Sequence, residues 1–154
     1  MVIVWMAISA YPAWAWDAKV TRITDGDTLW VRPGQGGKPV KIRLDGIDAP
    51  EICQAGGRAA RAALAARLAG RMVAVSTRRH DDYGRAVAAI GLDGEDIAGW
   101  MVSQGHAWSY RYRGDGGPYL ALQLQAQSAR RGLFADPAAL PPRVFRKRYG
   151  SCYR

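Results

Sequence analysis

Residues 39–45, PVKIRLD, alternate strictly. Val40, Ile42 and Leu44 fall on one face, Lys41, Arg43 and Asp45 on the other, which predicts a half-buried strand. Upstream, Ala18–Ile23 is rich in β-branched residues and Leu29–Arg32 reads as a returning strand. Asp25-Gly26-Asp27 makes the turn between them, and Pro33-Gly34-Gln35-Gly36-Gly37 stops the second. Met72–Ser76 and Ala86–Leu92 supply two more strands, with Tyr83-Gly84 as a turn between them. Helices are predicted at Ala59–Leu68, stopped by Gly70, at Asp96–Gln104, stopped by Gly105, and at Tyr119–Arg131, stopped by Gly132. Five short strands with a helix after the third point to an α+β fold: a small five-stranded barrel of the OB type with three α-helices.

The chain has 154 residues, the size of one domain, and 49% apolar against 23% charged residues lets it bury a core. Lys and Arg outnumber Asp and Glu by 22 to 13, and the resulting +9 favours a polyanionic partner. The stretch Met1–Trp16 carries no charged side chain, and its small-x-small triplet Ala13-Trp14-Ala15 suits a secretory signal cleaved after Ala15. The same residues also suit a retained N-terminal anchor, since no Lys or Arg precedes the apolar run. Nothing else is long and apolar enough to span a bilayer, so a polytopic membrane protein is excluded. The expected organisation is a signal at 1–15, one domain at 16–140 and a basic tail at 141–154, with export to the periplasm or the medium. No feature demands an oligomer, and a monomer is expected.

Three polar clusters sit at expected strand ends or turns: Asp25-Gly26-Asp27-Thr28, the run Arg43–Glu51, and Asp82-Tyr83-Gly84-Arg85. They supply carboxylates and guanidiniums but no Ser–His pair. Hard oxygen donors suit Ca²⁺ or Mg²⁺ and suit zinc poorly. Arginines beside them suit a phosphate, because a planar fork grips two non-bridging oxygens. That combination is what phosphodiester cleavage needs.

DGDT at 25–28, RLDGIDAPE at 43–51 and DDYGR at 81–85, in this order and spacing, resemble the staphylococcal nuclease-like family, the thermonucleases. The likeness runs over roughly residues 18–135. It implies a calcium-dependent nuclease that cleaves DNA and RNA, leaving 3′-phosphate ends. On the matching positions Asp27 and Asp48 would ligate Ca²⁺ through carboxylates and Ala49 through its main-chain carbonyl. Glu51 would orient or deprotonate the attacking water, Arg43 and Arg85 would bind the reacting phosphate, and Tyr83 would lie against the nucleotide. Asp25 and Thr28 would shape the turn. Little sequence preference is expected, since these residues address phosphate and metal rather than base edges. A single-stranded substrate is expected.

Trp108, Tyr110 and Tyr112, interleaved with Arg111 and Arg113, suit base stacking beside phosphate contacts, and suit ordinary core and rim positions as well. His80 and His106 lack metal-ligand spacing and read as structural or surface residues. The tail RVFRKRYGSCYR could add non-specific phosphate affinity or be only solvated. Cys53 and Cys152 could pair across about 100 residues or remain free thiols. The reading from another class is a non-catalytic OB-fold module that binds single-stranded nucleic acid in a basic groove without turnover.

Overall fold

The alternation of residues 39–45 is resolved by a closed barrel. The computed structural model describes residues 15–111, 114 and 116–152; the expected signal, apart from Ala15, lies outside them, as does Tyr112. The chain forms β1 (Trp16–Ile23), β2 (Thr28–Pro33), β3 (Val40–Leu44), the short β4 (Ile47–Asp48) and α1 (Gly57–Leu68). It continues through β5 (Met72–His80), β6 (Ala86–Leu92), β7 (Glu95–Asp96), α2 (Ile97–Ser103) and β8 (Trp108–Ser109). Last come α3 (Leu120–Ser128), a 3-10 turn at Gly132–Ala135, and α4 (Pro142–Tyr149).

Antiparallel pairing runs in the order β3-β2-β1-β5-β6, and β3 meets β6 in parallel to close the ring. Closure leaves these five strands without a free edge. Ile42 and Leu44 are fully buried, as their alternation predicts, while β6 is buried at six of its seven positions because α2 covers it. Helix α1 buries Ala60, Leu64 and Leu68 at four-residue intervals and packs on β1. Each of those leucines contributes about 1.5–3 kcal/mol by leaving water.

The barrel agrees with the sequence expectation, but the helix count is four rather than three. Helix α4 arises from residues that the sequence marked only as a basic tail, solvated or adding phosphate affinity. Pro142 stands at its first turn, where a missing N–H costs nothing. Phe145 and Tyr149, one turn apart with ring centroids at 5.0 Å, face an apolar groove shared with Trp108 and Leu133. Arg143, Lys147 and Arg148 point outward. Helix α3 stops at Ser128 rather than Arg131, and Arg130 already has a positive φ of 51°. Strand β5 runs on to His80, past the expected Ser76.

Candidate active site

The acidic turn between β1 and β2 is tied by its own main chain: the Thr24 amide donates to the Thr28 carbonyl at 2.9 Å, and the Asp27 amide to Asp25 Oδ1 at 3.0 Å. Gly26 lets this turn rest on α1 and on the segment after β4, since a Cβ there would meet those of Ala60 and Ala49 at 2.7 and 2.8 Å. Asp27 is thereby carried into the interior, 4% exposed. Its Oδ2 accepts from the Ala49 amide at 2.9 Å, and its Oδ1 accepts from the Thr28 hydroxyl and from Arg43 Nη1, both at 2.9 Å. Pairing of Thr28 with Arg43 across β2 and β3 brings the arginine beside this turn.

Arg43 bridges two buried acids. Its Nη2 reaches Asp48 Oδ1 at 3.1 Å and the Ile47 carbonyl at 3.3 Å. Parallel pairing of Arg43 with Val87 then brings in Arg85, two residues earlier. Arg85 is held by Asp81, whose Oδ2 accepts from Nε at 2.7 Å and whose Oδ1 accepts from the Arg85 and Tyr83 amides. The Tyr83 ring is 84% exposed, with the Arg85 guanidinium 5.4 Å from its centroid. One cleft of about 560 Å³ is lined by Asp25, Asp27, Thr28, Arg43, Ala49, Glu51, Tyr83 and Arg85 together with Arg146 and Ser151.

Arg146 was not singled out by the sequence. It comes from α4 and bonds both remaining acids: Nη1 donates to Asp48 Oδ1 at 3.2 Å and to Glu51 Oε1 at 3.0 Å, and Nη2 to Asp48 Oδ2 at 2.9 Å. The Ser151 hydroxyl lies 3.4 Å from Glu51 Oε2. The two cysteines are paired: Cys53 and Cys152 form a disulfide that anchors the end of the tail two residues beyond Glu51. The pairing is one of the two alternatives the sequence left open for these cysteines, whereas nothing in the sequence marked the contact of Arg146 with Glu51.

Electrostatics follow from this crowding. Burial works against the Asp27 carboxylate, yet Arg43, the Ala49 amide and the Thr28 hydroxyl hold it below the ordinary carboxylate range. At Asp25, burial together with the charge of Asp27 outweighs the hydrogen bond from the Asp27 amide and pushes the carboxyl up to about 7. Burial also raises Asp48, in spite of its two guanidinium partners. Asp27 and Asp48 keep Arg43 firmly protonated, and Asp48 and Glu51 outweigh burial to do the same for Arg146.

Among the described residues no group of three or more His, Cys, Asp or Glu side chains is arranged to hold a metal ion. The donor chemistry nonetheless fits a hard divalent cation, because Asp27 and Asp48 offer carboxylates and the Ala49 main chain lies against Asp27. Two oxygens of Asp48 are at present engaged by arginines.

A second groove adjoins the first and is lined by Arg78, Arg79, Tyr83, Arg85, Tyr110 and Arg111 among others, so the structure brings Tyr110 alongside the cleft. Tyr112 lies outside the described residues. Trp108 does not join this surface: it is 8% exposed and packs edge-on against Phe134. Tyr119, unmarked in the sequence, lines the same groove and donates its hydroxyl to Asp96 at 2.6 Å. His80 is exposed at the end of β5, and His106 is half-buried beside Trp100.

Comparison with known proteins gives these residues their context. Residues 41–136 match the family model described as staphylococcal nuclease homologue. The chain is 38% identical over 152 residues to Protein ParB of Escherichia coli, covering 91% of this chain and 85% of that one. It is 38% identical over 133 residues to an uncharacterized endonuclease of Escherichia coli O157:H7, covering 84% of each. It is also 35% identical over 153 residues to a micrococcal nuclease of Shigella flexneri, covering 91% of this chain and 86% of the relative. With its barrel, its arginine-bridged carboxylates and these relatives, the chain belongs to the staphylococcal nuclease-like family and is a hydrolytic nuclease.

Proposed function

We propose that this nuclease hydrolyses phosphodiester bonds of DNA and RNA in a calcium-dependent reaction, with little sequence preference, leaving 3′-phosphate ends. The observation that carries this reading is the cleft in which two arginines, Arg43 and Arg85, face Asp27 and Glu51, with Asp48 buried behind it on Arg43. Bound by the Asp27 and Asp48 carboxylates and the Ala49 carbonyl, a Ca²⁺ ion would supply Lewis-acid polarisation of the phosphoryl group.

The protein's own groups account for the rest. Arg43 and Arg85 bind the non-bridging oxygens and stabilise the charge that grows on them, Arg85 arriving already oriented by Asp81. Glu51 orients a water molecule and takes its proton as the water oxygen bonds to phosphorus. The bond from phosphorus to the 5′-oxygen breaks, and that oxygen leaves with a proton from solvent. Tyr83 offers an exposed face to the nucleotide, and Tyr110, in the adjoining groove, extends that contact along the strand. None of these groups addresses a base edge, which supports low sequence preference. Single strands are preferred because an unpaired strand can lay its bases on the tyrosines. Export is supported by the disulfide, a bond that persists in oxidising compartments. The enzyme acts as a monomer.

Digestion of single-stranded DNA, duplex DNA and RNA with Ca²⁺, with Mg²⁺ and with a chelator tests this reading, provided the new ends are identified. Calcium-dependent cleavage to 3′-phosphates is expected. Tight binding without cleavage under every metal would leave a basic OB-fold binding module instead.

A further inference from the structure

Helix α4 adds little to the core, since Pro142 is its one buried residue. It is held instead by attachments to a single short turn. Before the helix begins, Gln54 Nε2 donates to the Leu140 carbonyl at 2.7 Å. Behind it, the Cys53–Cys152 bridge fastens the chain again. Between these two points Arg146 reaches Asp48 and Glu51. Glu51, Cys53 and Gln54 are parts of the same turn, because the Gln54 amide donates to the Glu51 carbonyl at 2.8 Å and the Glu51 amide to Gln54 Oε1 at 3.2 Å. The strap is therefore fastened at both ends to the turn that bears Glu51, and its middle holds the Glu51 carboxylate.

Building on the nuclease reading, we propose that Arg146 is a positioning residue of the cleavage site and that the Cys53–Cys152 disulfide keeps it in place, so that full activity requires the oxidised chain. A glutamate on a turn has several rotamers, and only those aimed into the cleft can serve an attacking water. Arg146 selects among them through a charge-assisted bond to Oε1, leaving Oε2 for other partners. The same guanidinium spans to both oxygens of Asp48, which sets the separation of the two acids. Three directed bonds to two carboxylates need a planar fork, which an ammonium group does not have.

The disulfide matters because, beyond Arg146 itself and the half-exposed packing of Phe145 and Tyr149 beside Trp108 and Leu133, it is what fastens the far end of α4. Opening it takes two electrons and two protons from a dithiol, which leaves as its own cyclic disulfide, and yields two thiols. The far end of the strap is then free, and the effective concentration of Arg146 at Glu51 falls. A chain whose thiols are still reduced cleaves weakly until it reaches an oxidising compartment.

The test compares the oxidised protein, the same protein treated with dithiothreitol, and the variants Arg146→Met, Arg146→Lys and Cys53→Ser/Cys152→Ser. Steady-state cleavage of a single-stranded oligonucleotide in Ca²⁺ is measured beside amide hydrogen exchange, and thermal melting verifies folding. Arg146→Met is expected to lower kcat about 10- to 100-fold with KM nearly unchanged, and Arg146→Lys to regain part of the loss. The double serine variant and the reduced protein should fall likewise. Dithiothreitol should add little to the loss in Arg146→Met, because the fastening then has nothing left to hold. The amides of Gln54 and Gly57 should exchange faster in every impaired form. Undiminished or raised kcat in Arg146→Met would overturn the proposal and make Arg146 a plug over Asp48. A full further loss on reducing Arg146→Met would overturn the role of the disulfide. If the untreated protein cleaves nothing, the nuclease reading fails by itself, and the exchange of Gln54 and Gly57 still decides whether Arg146 and the bridge order the turn.

Discussion

Gly57, the first residue of α1, lies directly against the main-chain carbonyl of Glu51, too close for any side chain to stand between them. The Gly57 amide also donates to the Gln54 carbonyl at 2.9 Å, closing the turn on the helix. Glu51 is thus seated on α1 by contact with bare backbone. Gly26 seats the Asp27 turn on the same helix at Ala60. The rigid element beneath the cleft is α1, whose own side chains take no part in the chemistry.

Replacing Gly57 with Ala should therefore act at the cleft as well as on the fold. Overpacking at this point is expected to cost about 1–3 kcal/mol, read from the denaturant midpoint, and to lower kcat as Glu51 is displaced. Unchanged turnover in a destabilised Gly57→Ala protein would mean that the turn yields without moving Glu51.

Glu51→Gln keeps the shape of the side chain and removes its basicity. Turnover should fall by about 10²- to 10⁴-fold, while affinity for a single-stranded oligonucleotide in a direct binding assay stays within a fewfold. Equal turnover of the two proteins would remove Glu51 from the chemistry and favour a different water-activating group.

The two arginines of the cleft, Arg43 and Arg85, should separate when stability is measured beside activity. Arg43→Met leaves Asp27 and Asp48, 5% and 3% exposed in their side chains, without the cation between them. A loss of about 3 kcal/mol or more is expected, together with inactivity. Among the described residues Arg85 forms its ion pair with Asp81 alone, and no second buried acid depends on it, so Arg85→Met should lose activity with a stability change of about 1 kcal/mol or less. Similar destabilisation by both substitutions would show that the rim pair is as deeply committed to the fold as the buried one.

His106 makes a pH prediction of definite sign. Burial beside Trp100 holds its pKa below the ordinary 6.5, so the folded chain resists a proton that the unfolded chain accepts. Stability contributed by the neutral imidazole is present above pH 6.5 and is lost as the pH falls from there to the lower folded value. His106→Gln should flatten that slope in urea titrations at a series of pH values. A slope unchanged by the substitution would assign the acid sensitivity to the carboxylates instead.

Much of this was legible from local pattern. Alternation marked β3 and with it the inward Ile42 and Leu44 and the outward Arg43, because side chains of a strand take opposite faces whatever lies beyond. The Asp–Gly turns marked the ends of strands, which is where a barrel exposes polar groups. Asp27, Arg43, Asp48, Glu51 and Arg85 stand in recognisable runs; the barrel places Asp27, Arg43, Glu51 and Arg85 on one cleft and buries Asp48 behind it against Arg43. Trp108 shows the limit of that reading. An aromatic in an alternating run looks the same whether it faces a groove or a neighbour, and Phe134 decided which.

The sequence by itself determined the barrel strands, the helices of the first three-quarters of the chain, and the polar runs that line the cleft, because each is encoded within a few neighbours. Only the tertiary structure decided that a basic tail becomes α4, that Cys152 bonds Cys53, and that Arg146 closes on Glu51. Those partners lie 99 and 95 residues apart, and a run of charges carries no local sign of where it will fold back. The acids it meets are gathered by the barrel, so the destination of the tail exists only once the strands have closed.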